Sequence, residues 1–219
     1  MLSENMQKVY FISGLGADSR SFGFLDLSFC DPHFISWVSP SRNETLESYA
    51  DKLFESVNDE KAVIVGLSFG GMLATEIAKK HPETKVIIIA SAKTRFEIPR
   101  YLRFWRHLPI YNFHSNKLKN YTGGFVLSIL GTKGAEQRKV QQQIMRDSDP
   151  VFTRWAIHAI LNWKNTVIPE NVIHIHGTAD KLLPHRFVKA NYIISYGEHV
   201  MIMDKAEEVS ALLKQLITN

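Results

Sequence analysis

Apolar and β-branched residues gather along this chain into short runs at 9–13, 34–38, 62–65, 86–90, 172–176 and 192–195. Runs of this length, without strict alternation, are the pattern of strands buried on both faces of a parallel sheet. Between them the period changes from strand-like to helical. Leu46, Tyr49, Ala50, Leu53, Phe54 and Val57 form one stripe at helical spacing, which predicts a helix over 46–57, and a second helical pattern fills 72–80. Near the end of the chain, Asp204-Lys205-Ala206-Glu207 reads as a capping box ahead of Val209, Leu212, Leu213 and Leu216, with Asp204 as the N-cap. Strands alternating with helices predict a mostly parallel sheet of about six strands flanked by helices on both sides.

The alternation is interrupted once. Residues 93–164 hold no strand pattern, and they are rich in aromatic and basic residues: Arg95, Phe96, Arg100, Tyr101, Arg103, Phe104, Trp105, Arg106 and His107 lie close together. Later in the same stretch Asp149 and Pro150 are suited to be N-cap and first residue of a helix running to Leu161. The expected organisation is therefore a core formed by 1–92 and 165–219, with 93–164 inserted as a helical cap. Its charges suit either a solvated helix face or the attraction of an anionic substrate.

Composition narrows the classes further. With 219 residues, of which 45% are hydrophobic, the chain can bury a sizeable core. Cys30 is the only cysteine, so no disulfide can form within the chain. The N-terminal apolar run is too short for a signal peptide and no stretch reaches the roughly 20 apolar residues of a membrane span, so a cytoplasmic protein is expected. A net charge of +4, without a recognisable binding module, does not indicate a nucleic-acid partner.

The chemistry is concentrated in Gly66-Leu67-Ser68-Phe69-Gly70. This fits G-x-S-x-G between an expected strand and an expected helix, the context in which a serine sits on a sharp turn as a nucleophile. Side chains at the glycine positions would collide with the neighbouring strand and helix. The Phe69 amide, at the start of the helix, is a natural donor to an oxyanion. A serine needs a base, and the base needs an orienting group. His-Gly-Thr-Ala-Asp at 176–180 carries Asp180 on the loop after one expected strand, and His199 follows the next. The order Ser, Asp, His, each at the carboxyl end of a strand, is where a parallel sheet gathers functional loops.

In these motifs and their order the chain resembles the α/β-hydrolase superfamily over essentially its whole length. FISGLGAD, GLSFGGM and HIHGTADKLLP are similar to stretches of its compact bacterial members. The resemblance implies Ser68 as nucleophile, Asp180 as triad acid and His199 as general base. It also implies backbone donors to the oxyanion at Phe69 and at Leu15, within Ser13-Gly14-Leu15-Gly16, where Ser13 occupies a position at which the superfamily often has His. Neither metal nor cofactor is expected, and the expected partner is a small-molecule acyl substrate; oligomeric state is left open.

Rival assignments stay open at this point. His185 lies on the Asp180 loop and suits a structural role. His174 and His176 share a strand face and, with Asp180, could suggest a metal site, although the spacing is not that of a ligand set. Asp147 and Asp149 could supply an acid, but their position favours helix capping. The same fold and triad could serve carbon-carbon bond hydrolysis or a lyase reaction, and a non-catalytic binding protein could keep the fold.

Overall fold

The computed structural model describes residues 6–59, 61–104 and 127–218. Its centre is a sheet of β1 (Lys8–Ile12), β2 (Asp31–Phe34), β3 (Val63–Leu67), β4 (Lys85–Ile89), β5 (Val172–Gly177) and β6 (Tyr192–Ile194). These form one six-stranded sheet in the order β2-β1-β3-β4-β5-β6. Every neighbouring pair is parallel. Among the described residues, the helices include α1 (Leu46–Phe54), α2 (Phe69–Lys80), α3 (Arg100–Phe104), α4 (Ala135–Asp147), α5 (Pro150–Asn162), α6 (Met201–Asp204) and α7 (Ala206–Thr218). Trp105, Arg106 and His107 of the aromatic, basic stretch lie outside the described residues.

The strands are continuously apolar because both of their faces are covered. On one face Ile64, Val86 and Ile88 pack with Leu46, Tyr49 and Leu53 of α1, Leu73 and Ile77 of α2, and Phe152 and Ala156 of α5. On the other, Val63, Val65, Ile87 and Ile89 pack with Met201 of α6, Val209 and Leu213 of α7, and Ile144 of α4. Helices α4 and α5, consecutive in the chain, thus feed opposite cores and straddle the sheet. The chain runs outward from β1 to β2 and then returns to β3 on the other side of β1. The reversal makes the carboxyl ends of β1 and β3 the place where open parallel sheets bind ligands.

Two expectations are corrected. The second strand is Asp31–Phe34 and not 34–38. As an edge strand it needs donors only toward β1: the amides of Asp31 and Ile35 bond to Gln7 O and Phe11 O at 2.9 Å each. Pro32, between them in register, has no N–H to lose on the open side. The apolar run beyond it leaves the sheet, and its backbone is satisfied by a side chain: Tyr49 Oη donates to Val38 O at 2.7 Å and accepts from Val38 N at 3.1 Å. Asp204 also departs from its expected role. It ends α6, and its carboxylate accepts from the amides of Lys133 at 3.2 Å and Gly134 at 3.4 Å, just ahead of α4. The helix signal at Asp149 and Pro150 is realised, with the Asp149 side chain accepting from Val151 N at 2.8 Å.

Gly70 sets how closely α2 approaches β1, because a methyl group there would run into the carbonyl oxygens of Ile12 and Ser13. Gly70→Ala is expected to cost at least the ~1–3 kcal/mol of core overpacking. At about 2–4 °C of Tm per kcal/mol for a chain of this size, the loss is visible in a thermal melt; an unchanged Tm would refute the close approach.

Candidate active site

Ser68 joins β3 to α2 in a backbone conformation that side chains rarely adopt, φ 50° and ψ −114°. Such strain persists only where the surroundings over-determine it. Here its amide donates to Ile89 O at 2.9 Å, and its carbonyl accepts from Gly71 N at 2.9 Å and Met72 N at 3.3 Å. The Ser91 hydroxyl, fully buried, adds a third bond to that carbonyl at 2.6 Å. Sequence reasoning missed Ser91. Its signal was a small polar residue just past the end of β4, in the same layer as the other strand ends.

The turn presents the Ser68 hydroxyl to His199, with Oγ 2.8 Å from Nε2. On the opposite side of the ring, His199 Nδ1 is 2.8 Å from Asp180 Oδ2. An ionised carboxylate only accepts, so Nδ1 carries the hydrogen in neutral His199 and Nε2 is the lone pair facing the serine. Asp180 Oδ1 in turn accepts from the amides of Leu182 at 2.9 Å and Leu183 at 2.8 Å. Asp180 and His199 are both buried, and Ser68 is half-buried at the surface of the site. Burial alone would push the Asp180 carboxyl up, but the His199 ring, the Leu183 amide and His176 together hold it below its ordinary value.

The loops carrying the acid and the histidine are stitched to each other. Ala179 N donates to Gly197 O at 2.9 Å, and Tyr196 N to Thr178 Oγ1 at 2.8 Å. Gly177 has no room for a side chain, since a Cβ would strike the Gly197 backbone.

The turn at Gly14, Leu15 and Gly16 lies on the other side of the serine: a methyl group on Gly14 would sit 3.5 Å from Ser68 Cβ. The turn closes with Ala17 N donating to Gly14 O at 3.0 Å. Ser13 braces this turn, its hydroxyl donating to Ala17 O at 2.9 Å, and Trp37 Nε1 donates to the same oxygen at 2.7 Å. Phe69 N opens α2, where a first-turn amide has no acceptor within its own helix. Its ring is buried against Trp37 and Phe152.

Ion pairs attach the segment between β4 and β5 to both sides of the site. At one end of α4, Arg20 bonds Asp147 at 2.8 Å and Asp18 at 2.6 Å, joining the helix to the loop after β1. Near its other end, Glu198, adjacent to His199, is paired with Lys133 at 3.0 Å and with Lys181 at 3.5 Å. Val200 N donates to Leu130 O at 3.2 Å beside that pair. Of the aromatic residues in this segment, Trp163 is buried and donates to Glu76 Oε1 at 2.7 Å, whereas Phe96, Tyr101 and Phe104 are exposed.

The rival residues are engaged elsewhere. Asp147 and Asp149 serve the Arg20 pair and the α5 cap. His185 begins a short 3₁₀ turn, His185–Phe187. His174 Nε2 lies 3.2 Å from His176 Nδ1, and His176 Nε2 lies 2.8 Å from Leu183 O. Among the described residues no group of three or more His, Cys, Asp or Glu is placed to hold a metal ion. No described helix is long and apolar enough to cross a membrane.

Comparison with known proteins bears on the whole arrangement. A family model described as the alpha/beta hydrolase family matches residues 9–212. The fold is similar to an esterase from Exiguobacterium antarcticum, at 13% identity over 97% of this chain and 92% of that chain, with a TM-score of 0.76. It is similar as well to the enol-lactonase from Burkholderia xenovorans LB400, at 12% identity over 100% of this chain and 94% of that one, TM-score 0.76. A meta-cleavage product hydrolase from Pseudomonas fluorescens IP01 aligns at 17% identity over 97% and 90% of the two chains, TM-score 0.66. Identities this low establish a shared fold. No curated protein sequence matches the chain.

The buried histidines make a pH prediction. Desolvation, reinforced by His176 and Lys93, holds His174 well below its ordinary value of 6.5. Desolvation lowers His176 as well. A histidine kept neutral by the fold takes up its proton on unfolding, so its stabilisation is complete above pH 6.5 and is lost as pH falls below that value. Tm is expected to fall between pH 7.5 and 5, and to fall less in His174→Gln, which keeps an N–H donor but does not titrate. Equal slopes for the two proteins would refute this.

Proposed function

The chain belongs to the alpha/beta hydrolase family, and we propose that it is a serine hydrolase cleaving a carboxylic ester or thioester through an acyl-serine intermediate. The observation carrying this reading is the unbroken hydrogen-bonded line from Ser68 Oγ through His199 to Asp180, 2.8 Å at each step. A turn residue needs no such partners.

In this mechanism Ser68 Oγ attacks the acyl carbon while His199 Nε2 takes the serine proton. The resulting oxyanion is met by the amides of Phe69 and Leu15, and the helix N-terminus behind Phe69 favours the negative charge. The tetrahedral species collapses with cleavage of the bond to the leaving alcohol or thiol, which receives the proton from His199. Water then adds to the acyl-serine and gives a proton to His199. Collapse of this second tetrahedral species breaks the bond to Ser68 Oγ, which takes the proton back from His199, and releases the carboxylic acid. Asp180 orients the ring and stabilises the imidazolium formed in both halves.

The same proposal treats 93–164 as a cap over a core of 1–92 and 165–219. In support, ion pairs join the two ends of α4 to the loop after β1 and the loop holding His199, and Phe152 of α5 packs against Phe69. The esterase and lactonase named among the structural neighbours are consistent with acyl chemistry at such a site.

A fluorophosphonate probe read by intact mass tests the reading. Wild type is expected to gain one adduct and Ser68→Ala none. Turnover of short- and medium-chain nitrophenyl esters should fall by about a millionfold in Ser68→Ala. In Asp180→Asn, which keeps the fold but favours the wrong imidazole tautomer, it should fall by about 10⁴-fold. A folded wild type that neither labels nor turns over ester would overturn the proposal.

A further inference from the structure

The acyl-transfer mechanism leaves a second pair of histidines unused, directly behind the acid. His174 and His176 are fully buried, on a face of β5 otherwise occupied by Val172. Two imidazoles in an apolar layer are costly, and leucines would fill similar space without that cost.

Their hydrogen bonds admit one neutral arrangement. Leu183 O can only accept, so His176 Nε2 carries its hydrogen and donates across 2.8 Å. His176 Nδ1 is then an acceptor, and the hydrogen on the 3.2 Å contact comes from His174 Nε2. His174 Nδ1 is left as a lone pair, without a partner among the described residues. The backbone of His174 is clamped to Asn191, giving its N–H to Asn191 Oδ1 at 2.9 Å and accepting from Asn191 N at 2.8 Å. The direction of donation along β5 is thereby set from His174 through His176 to Leu183.

Leu183 links this chain to the reacting groups. Its carbonyl is held by His176, and its amide holds Asp180 Oδ1 at 2.8 Å. The same His176 N–H lies 3.6 Å from Asp180 Oδ2, the oxygen that meets His199. The charged or titratable groups around His176 are Asp180, His199 and His185, with Lys93 acting on His174.

We propose, on the premise of the serine-hydrolase reading, that His176 is a positioning residue for the general base. Held in one tautomer by His174, it fixes the Leu183 carbonyl and so the turn that keeps the Asp180 carboxylate against His199. A neutral His176 holds the turn whose Leu183 amide bonds Asp180 Oδ1 without adding a positive charge that would compete with the His199 imidazolium. A hydrophobic replacement would preserve packing and lose that hold.

The test is the rate constant of fluorophosphonate labelling at Ser68 as a function of pH, in the full chain, alongside kcat and KM for a nitrophenyl ester. Three variants are compared: His176→Leu has no donor, His176→Asn is polar but too short to reach Leu183 O, and His176→Gln can return a donor to the Nε2 position. Labelling and kcat are expected to fall by about tenfold to a hundredfold in His176→Leu and His176→Asn, with KM nearly unchanged and the acid limb of the profile moved to lower pH. His176→Gln is expected within about threefold of wild type. If His176→Leu does not fold, His176→Asn carries the same comparison. Wild-type rates and an unchanged profile in the donor-less variant, or failure of His176→Gln to restore them, would overturn the positioning role. A wild type that never labels overturns the hydrolase reading, and this role with it.

Discussion

The site depends on how closely two pieces of backbone can approach at Ser68. The end of β1, the turn at Ser68 and the start of α2 are packed so tightly that Gly66 and Gly70 leave no room for a methyl group against neighbouring backbone. That contact forces the serine into its left-handed conformation, and bonds to Ile89, Gly71, Met72 and Ser91 hold it there. A relaxed turn would let the hydroxyl swing among rotamers. The strained one leaves it within reach of His199 and beside the amides that open the helix.

Around this fixed point the other groups are positioned by short loops with little freedom of their own. The acid loop and the histidine loop are bonded to each other, and the acid loop is anchored through Leu183 to buried histidines. The loop after β1 is closed by Ser13 and Trp37. Helix α4 then ties the two sides together: Asp147 pairs with Arg20 near one end, and Lys133 reaches Glu198 near the other. The Arg20–Asp147 pair is exposed, and such a pair is worth about 0–1 kcal/mol, so its contribution is to registration more than to stability. Glu198, mostly buried beside His199, is the contact through which movement of this helix would reach that histidine.

Much of this was legible in the sequence because the determinants are local. A Gly-x-Ser-x-Gly between a strand pattern and a helix pattern specifies its own geometry, and Asp180 and His199 follow strands that the apolar runs already mark. The parallel sheet followed from the same runs. What escaped was non-local. The strand expected at 34–38 was mistaken because an apolar run does not show whether its backbone partners are a strand or, as at Val38, a tyrosine hydroxyl. Asp204 has the sequence of a helix cap, yet its carboxylate serves amides some seventy positions earlier in the chain. Ser91 carries no motif, and its role exists only once the end of β4 lies beside the turn at Ser68; His176 lies within a quoted motif, but its partner Leu183 is found only when the loop after β5 folds back on the strand.

The central claim is that Ser68 and His199 act as one unit, and a double-mutant cycle in ester turnover tests it most directly. If the hydroxyl is useful only because the imidazole takes its proton, Ser68→Ala and Ser68→Ala/His199→Ala are expected to retain the same residual rate, within about threefold. A double variant slower than Ser68→Ala by about the full His199→Ala effect would mean that the two side chains contribute independently, and would contradict the account.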